Sequence, residues 1–317
     1  MRRKKLQNSF LQSLARSKIF WLCLFPLFVL LITISGGSYY QNFQVVYREP
    51  EVRFLPFLPP SASDYPQSEL GNFFASARAV FVFDPDSNTT TYSRNENLRL
   101  PPASTTKLVT GMVTVKNCPL EKIITVSQFN KEGTRMGLVK GERISVENLL
   151  YGLLVTSGND AAGVLAQNCA GDLSKGEFID QMNQIVETLK LPNTHFTNPS
   201  GLDELGHFSS AKDLGLIAAE AIKNPIIAKM VNTISITVRS VDGKQVHQLV
   251  NVNKLLARED IYGIKTGKTE AAKENLILLA VWDNRRIISV ILGSSDRFGE
   301  SNSLIDMVYK YTKWLKF

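Results

Sequence analysis

The stretch PPASTTKLVTGMV, Pro101 to Val113, sets a serine and a lysine three residues apart where a proline-punctuated loop runs into an apolar, helix-like segment. Two prolines and a serine are ordinary helix-start signals, and a lysine in a first turn is ordinarily solvated. Residues at i and i+3 nevertheless share a helix face, so Ser104 Oγ and Lys107 Nζ are placed to act as a nucleophile and its base. A single Ser-x-x-Lys carries little information, and its surroundings must give it meaning.

Just upstream, ARAVFVFDPDSNTTTYSRN (Ala77–Asn95) reads as a hairpin: an apolar run, turn chemistry at Asp84 to Asn88, then a second run centred on Thr89 to Tyr92. The Ser104 segment is expected to be helical through about Asn117. Helical spacing continues over Ser145–Ala170, Lys175–Leu189 and Ala211–Lys223, the last ending ahead of Asn224-Pro225. Then the pattern changes. NLILLAVW, the tetrad Asp283 to Arg286 and IISVILGS read as two strands around a tight turn, buried on both faces. SLIDMVYKYTKWLKF is amphipathic and reads as a helix covering that sheet. Strands at both ends bracketing helices imply a single α/β domain over residues 73–317.

The 317 residues carry 44% hydrophobic and 21% charged side chains and a formal charge of +7. That charge is not a nucleic-acid signature. Six of the 36 basic residues (Arg2, Arg3, Lys4, Lys5, Arg16, Lys18) precede Ile19 with no acidic residue among them, leaving 30 basic against 29 acidic. Ile19–Ser35 then runs 17 residues without a charge. The positive-inside rule keeps 1–18 cytoplasmic, makes 19–35 a transmembrane helix and places the chain beyond it outside the cytoplasm. Ser35-Gly36-Gly37 offers the small residues of a signal-peptidase site, so secretion after cleavage is the alternative. Residues 36–72, containing REPEVRFLPFLPPSASDYPQSE, read as a proline-rich linker. Cys23 lies in the apolar segment, and Cys118 and Cys169 are either a disulfide pair or two buried thiols.

The companions of Ser104 come later. VTSGNDAAGVLA places Ser157-Gly158-Asn159 between two helical runs, and DIYGIKTGKTE carries Lys265-Thr266-Gly267 ahead of the terminal hairpin. Singly, these read as a helix-connecting loop and an edge strand with a protective lysine. Ser-x-x-Lys, Ser-x-Asn and Lys-Thr-Gly in that order are the set found in penicillin-binding proteins and related serine β-lactamases. Around them, RLPPASTTKLVTG, LLYGLLVTSGNDAAGVLA, FIDQMNQIVETLKLPNTHFTNPSGLDELGHFSSAKDLGLIA and GIKTGKTEAAKENLILLAV resemble the successive blocks of the D-alanyl-D-alanine carboxypeptidases, the low-molecular-weight penicillin-binding proteins. The resemblance covers roughly Ser76 to Phe317. It implies an α+β fold in which a largely antiparallel sheet is flanked by helices and an all-helical lobe, with the active site between sheet and lobe. The basic cluster and the apolar segment 19–35, rather than the resemblance, make the chain a cell-membrane protein with its catalytic domain outside the cytoplasm. The substrate would be the peptidoglycan stem peptide, whose terminal D-alanine is removed through an acyl-enzyme, and β-lactams would be covalent inhibitors. An endopeptidase acting on D-alanyl cross-links and an inactive wall-binding scaffold are the rival readings.

Amide cleavage by a serine needs a base, an oxyanion hole, a proton for the leaving amine and a grip on the substrate. Lys107 would be the base, although bringing a lysine from ~10.4 to ~7 costs about 4–5 kcal/mol. Burial and the neighbouring charge of Lys265 would supply that shift. Lys265 and the Thr266 hydroxyl would hold the substrate carboxylate. Ser157 would relay a proton to the leaving nitrogen, and Asn159 would orient Lys107 and the substrate amide. By resemblance, the backbone N–H groups of Ser104 and Lys268 form the oxyanion hole beside Gly267. The Lys268 side chain stands where the family is expected to carry an uncharged residue, and would add a second cation near the site. No cofactor or metal is expected: His195, His207 and His247 form no His-Glu-x-x-His pattern, and no Gly-rich phosphate loop is present. Glu220 and Asn224 have the spacing of a β-lactamase deacylating pair but lie at a helix end, too late in the chain.

Overall fold

The computed structural model describes residues 60–61, 76–170 and 175–314, all in the unit that clusters as Val45–Phe317. The basic tail 1–18, the apolar segment 19–35 and nearly all of the expected linker 36–72 lie outside the described residues. So do residues 73–75 of the expected catalytic domain. Among the described residues no helix is long and apolar enough to cross a membrane.

The hairpin of β2 (Ala79–Asp84) and β3 (Thr89–Arg94) falls where the sequence places it. So does the pair β9 (Lys273–Trp282) and β10 (Arg285–Ser294). With β8 (Ile261–Thr269) they make a central sheet of five antiparallel strands, in the order β3-β2-β10-β9-β8. The turn between β9 and β10 is tighter than the tetrad Asp283–Arg286: Asp283 and Asn284 alone form it, both at positive φ (48° and 59°). Two such residues match the right-handed twist of the strands they join, and Arg285 and Arg286 therefore belong to β10. Both faces of the hairpin are buried. On one side Val80, Val82, Ile287 and Ile291 pack under Leu304 and Val308 of α7 (Arg297–Tyr311), the expected covering helix. On the other side Phe81, Phe83, Ile288 and Val290 share a core with the helices, including Leu214 and Ile217 of α5 (Ala211–Ala221).

The helical part comprises α1 (Lys107–Asn117), α2 (Val146–Leu154), α3 (Asn159–Asn168), α4 (Lys175–Thr188) and α6 (Pro225–Val231). Ser145 caps α2 by accepting from the Asn148 N–H at 3.2 Å. Asn224, read as the end of a helix, instead starts α6, its Oδ1 accepting from Ile226 N–H at 2.9 Å with Pro225 in the first position. Two small pairings have no counterpart in the sequence reading: a hairpin of β6 (Ser235–Arg239) with β7 (Val246–Val250), and β4 (Ile123–Thr125) with β5 (Arg143–Ser145). Cys118 and Cys169 are disulfide-bonded with Cα atoms 5.5 Å apart, tying the C-terminal ends of α1 and α3 together. Within the stretch read as linker, β1 (Pro60–Ser61) pairs antiparallel with β11 (Lys313–Trp314). Strand β8, on the open edge of the sheet, faces the turn that begins α1.

Candidate active site

Ser104 sits in a single 3-10 turn, Ala103–Thr106, that runs directly into α1, so the helix proper starts at Lys107 rather than at Ser104. The serine makes no helix cap, and Ala103 before it is held at φ 50°. Lys107 lies one turn on and is fully buried, with Nζ 2.9 Å from Ser104 Oγ. It also donates to Asn159 Oδ1 at 2.7 Å and to the Ser200 carbonyl at 2.5 Å. Both acceptors can only accept, so two of the bonding directions at Nζ are fixed on them and the third faces the serine hydroxyl. Burial first, and then the charge of Lys265, hold the Lys107 amine well below the usual lysine range, against a smaller opposing pull from Asp160.

Lys265, on β8, is also buried, and its Nζ donates to Ser157 Oγ at 2.9 Å and to the Thr266 carbonyl at 3.1 Å. Burial and the Arg297 guanidinium bring it down to about 7. Ser157 lies in the break between α2 and α3 at φ 64°, a conformation that costs a serine of order 1–3 kcal/mol and aims its hydroxyl at Lys265. Asn159 opens α3; its backbone N–H donates to Thr134 O at 2.7 Å and its Nδ2 to Glu132 O at 2.9 Å. That leaves Oδ1 facing Lys107. The fully buried Asp160 carboxylate gathers the N–H groups of Met136, Gly137 and Leu138 at 2.9, 3.0 and 3.1 Å. The segment 132–138 is thereby laid against the Ser157–Asn159 turn.

Two glycines let three backbones converge on Ser104. A Cβ on Gly267 would come within 3.0 Å of Pro102 O and 3.2 Å of Ser104 N. A Cβ on Gly201, at φ 83°, would overlap Ala103 O at 1.9 Å. Two residues beyond each, Asp203 and Thr269 meet: Asp203 accepts from Thr269 Oγ1 at 2.6 Å and from Ala271 N at 3.1 Å. A 440 Å³ cavity opens on this side, with Glu132, Asn159, Asn198 and Asp203 in its lining.

The structure thus gathers Ser104, Lys107, Ser157, Asn159 and Lys265, with Thr266 and Gly267 beside them. Lys268 differs from expectation. Its exposed ammonium is paired with Glu274 at 2.8 Å, so it adds no unbalanced cation to the site. His207 is structural: Nδ1 accepts from Thr197 N–H at 3.0 Å, Nε2 reaches Thr106 Oγ1 at 2.9 Å, and burial lowers it to about 4. Sequence reasoning missed Arg297, which is mostly buried and donates from Nη1 to Gly267 O at 2.8 Å. No motif signals it. It also missed Asp203 and the Ser200 carbonyl, although both lie in the quoted block around NPSGLDELGH.

The sequence profile described as D-alanyl-D-alanine carboxypeptidase matches residues 68–296. The chain is 31% identical over 269 residues to D-alanyl-D-alanine carboxypeptidase DacF of Bacillus subtilis, covering 81% of this chain and 68% of that protein. It is 34% identical to DacB2 of Mycobacterium tuberculosis over 68% of this chain and 74% of the relative. Against DacD of Escherichia coli the identity is 35%, over 65% of this chain and 55% of the relative's length. Among solved structures, the Streptomyces K15 DD-transpeptidase superposes with a TM-score of 0.69 at 27% identity, over 74% of this chain and 97% of that one.

Proposed function

The chain belongs to the D-alanyl-D-alanine carboxypeptidase family, and from that premise we propose that its Ser104 cuts the terminal D-alanine from peptidoglycan stem peptides and is acylated by penicillins. One observation carries the reading: the buried Lys107 Nζ is held by two carbonyl oxygens and turns its third direction to Ser104 Oγ. Ser104 Oγ attacks the D-Ala-D-Ala carbonyl as its proton passes to Lys107. The oxyanion forms between the backbone N–H groups of Ser104 and Lys268, in the convergence that Gly201 and Gly267 permit. The C–N bond then breaks, and the leaving amine takes a proton through Ser157, which Lys265 holds. Water releases the acyl group. Along β8 the order Lys265, Gly267, Thr269 sets the substrate's direction: carboxylate at Lys265 and Thr266, scissile carbonyl at Ser104, upstream stem peptide toward the cavity beside Asp203. The basic residues before Ile19 support an exported catalytic domain held at the membrane by 19–35.

The test is covalent labelling. A fluorescent penicillin that cannot cross membranes should label the protein on intact cells, with the labelled chain in the membrane fraction, and Ser104→Ala should remove the label without unfolding the domain. The purified chain should release D-alanine from a pentapeptide. Equal labelling of Ser104→Ala would reject the nucleophile, and cleavage of a cross-linked dimer alone would make the enzyme an endopeptidase.

A further inference from the structure

Segment 126–142 leaves β4 and returns to β5 with little regular structure, yet it decides which way Asn159 points. Glu132 O holds Asn159 Nδ2, so Oδ1 is the atom left for Lys107. Besides Asp160, the segment has a second anchor 105 to 111 residues further along the chain, at His247 on β7. His247 Nδ1 is 3.2 Å from the Met136 carbonyl, and Nε2 is 2.7 Å from Glu142 Oε1. The other Glu142 oxygen accepts from Val139 N–H at 3.1 Å. Ring and carboxylate are both buried, at 6% exposure each.

Both ring nitrogens therefore face oxygen, and a carbonyl cannot donate. The two bonds coexist only if the pair carries one proton more than a neutral imidazole facing a carboxylate, whichever partner holds it. Without that proton a lone pair opposes an oxygen in a dry site, and one of the two bonds is lost. Of the other charged residues on the packed elements, Asp160 on α3 is buried and holds the N–H groups of Met136, Gly137 and Leu138; Lys131, Glu132, Arg135 and Lys140 on the loop, Arg143 on β5, Arg239, Asp242 and Lys244 on the hairpin and Glu147 on α2 are exposed. Glu142 is the ionisable group in contact with the ring.

We propose that the His247–Glu142 pair is a pin that, together with Asp160, fixes segment 132–138 and, through it, the orientation of Asn159 toward the Lys107 base. His247 and Glu142 are positioning residues. The activity arm of the test rests on the reading of Ser104 as nucleophile, and the exchange arm does not.

Glu142→Gln is the informative variant. Its Oε1 can accept from Val139 N–H, its Nε2 can donate to His247 Nε2, and the neutral ring then donates from Nδ1 to Met136 O. Every bond is kept without the extra proton. His247→Ala removes the pin. Penicillin acylation rate and amide hydrogen exchange at Met136, Gly137 and Leu138 would be compared in the wild type and the two variants at one pH. His247→Ala should lower both acylation and protection by about tenfold, the loss that one buried hydrogen bond carries. Glu142→Gln should keep both at the wild-type level, with penicillin affinity little changed in either variant. Wild-type acylation and protection in His247→Ala, or a loss in Glu142→Gln equal to that in His247→Ala, would overturn the pin. If the wild type were never acylated, the reading of Ser104 would fall, and the exchange data would still decide the pin.

Discussion

The two buried lysines show what the site costs the fold. Lys265 is brought to about 7 by burial and by Arg297, whereas in the unfolded chain it titrates near the ordinary lysine value of 10.5. Between those values the unfolded chain binds a proton that the native state does not, so this lysine makes stability rise with pH from about 7 towards 10. Its deficit near neutrality is about 4–5 kcal/mol by the size of the shift. Urea unfolding of the wild type should therefore strengthen over that range, and Lys265→Met should flatten the rise while abolishing acylation. A wild-type curve that falls monotonically above pH 7 would contradict the depressed lysine. Ser104 and Lys107 were legible because they are three residues apart on one turn. Arg297 was not, since nothing in its neighbours marks an arginine that will return to the carbonyl of a residue 30 positions earlier.

At the scale of elements, the loop carrying Ser200 and the strand carrying Gly267 meet Ser104 from two directions, and Asp203 clasps them together through Thr269 and Ala271. The clasp keeps the Ser200 carbonyl on Lys107 and Gly267 against the nucleophile's turn. Thr269→Val deletes the charge-assisted hydrogen bond to Asp203 and the bond that Thr269 Oγ1 accepts from Ala272 N–H at 3.0 Å, and should lower kcat for D-alanine release by about three- to tenfold with KM little changed. Thr269→Ser keeps the hydroxyl and should restore it. Equal kinetics for Val and wild type would leave the clasp without a role. The terminal hairpin and α7 were readable because continuous apolar runs and an amphipathic stripe are strong local signals. The hairpin of β6 and β7 and the seven residues of α6 are short, and their burial alternates with exposure only once they are packed.

Over the whole molecule, the disulfide joins the far ends of the two helices whose near ends carry Lys107 and Asn159. Closing a loop of 51 residues in the unfolded chain should be worth about 2–4 kcal/mol. Urea unfolding with and without reductant should show that loss, and an unchanged midpoint would mean the bond does not constrain the unfolded chain. From the sequence alone came the single α/β domain, the two strand pairs, the helix that follows Ser104 and the ordered motifs, because spacing and alternation are local properties that a chain displays before it folds. Whether Cys118 pairs with Cys169, which carbonyl receives the Lys107 amine, how Glu274 neutralises Lys268 and why His247 meets Glu142 were decided only when sheet and helices packed. Those contacts join residues up to about a hundred positions apart, and the one at Ser200 runs through a backbone carbonyl that every residue possesses and no sequence pattern distinguishes.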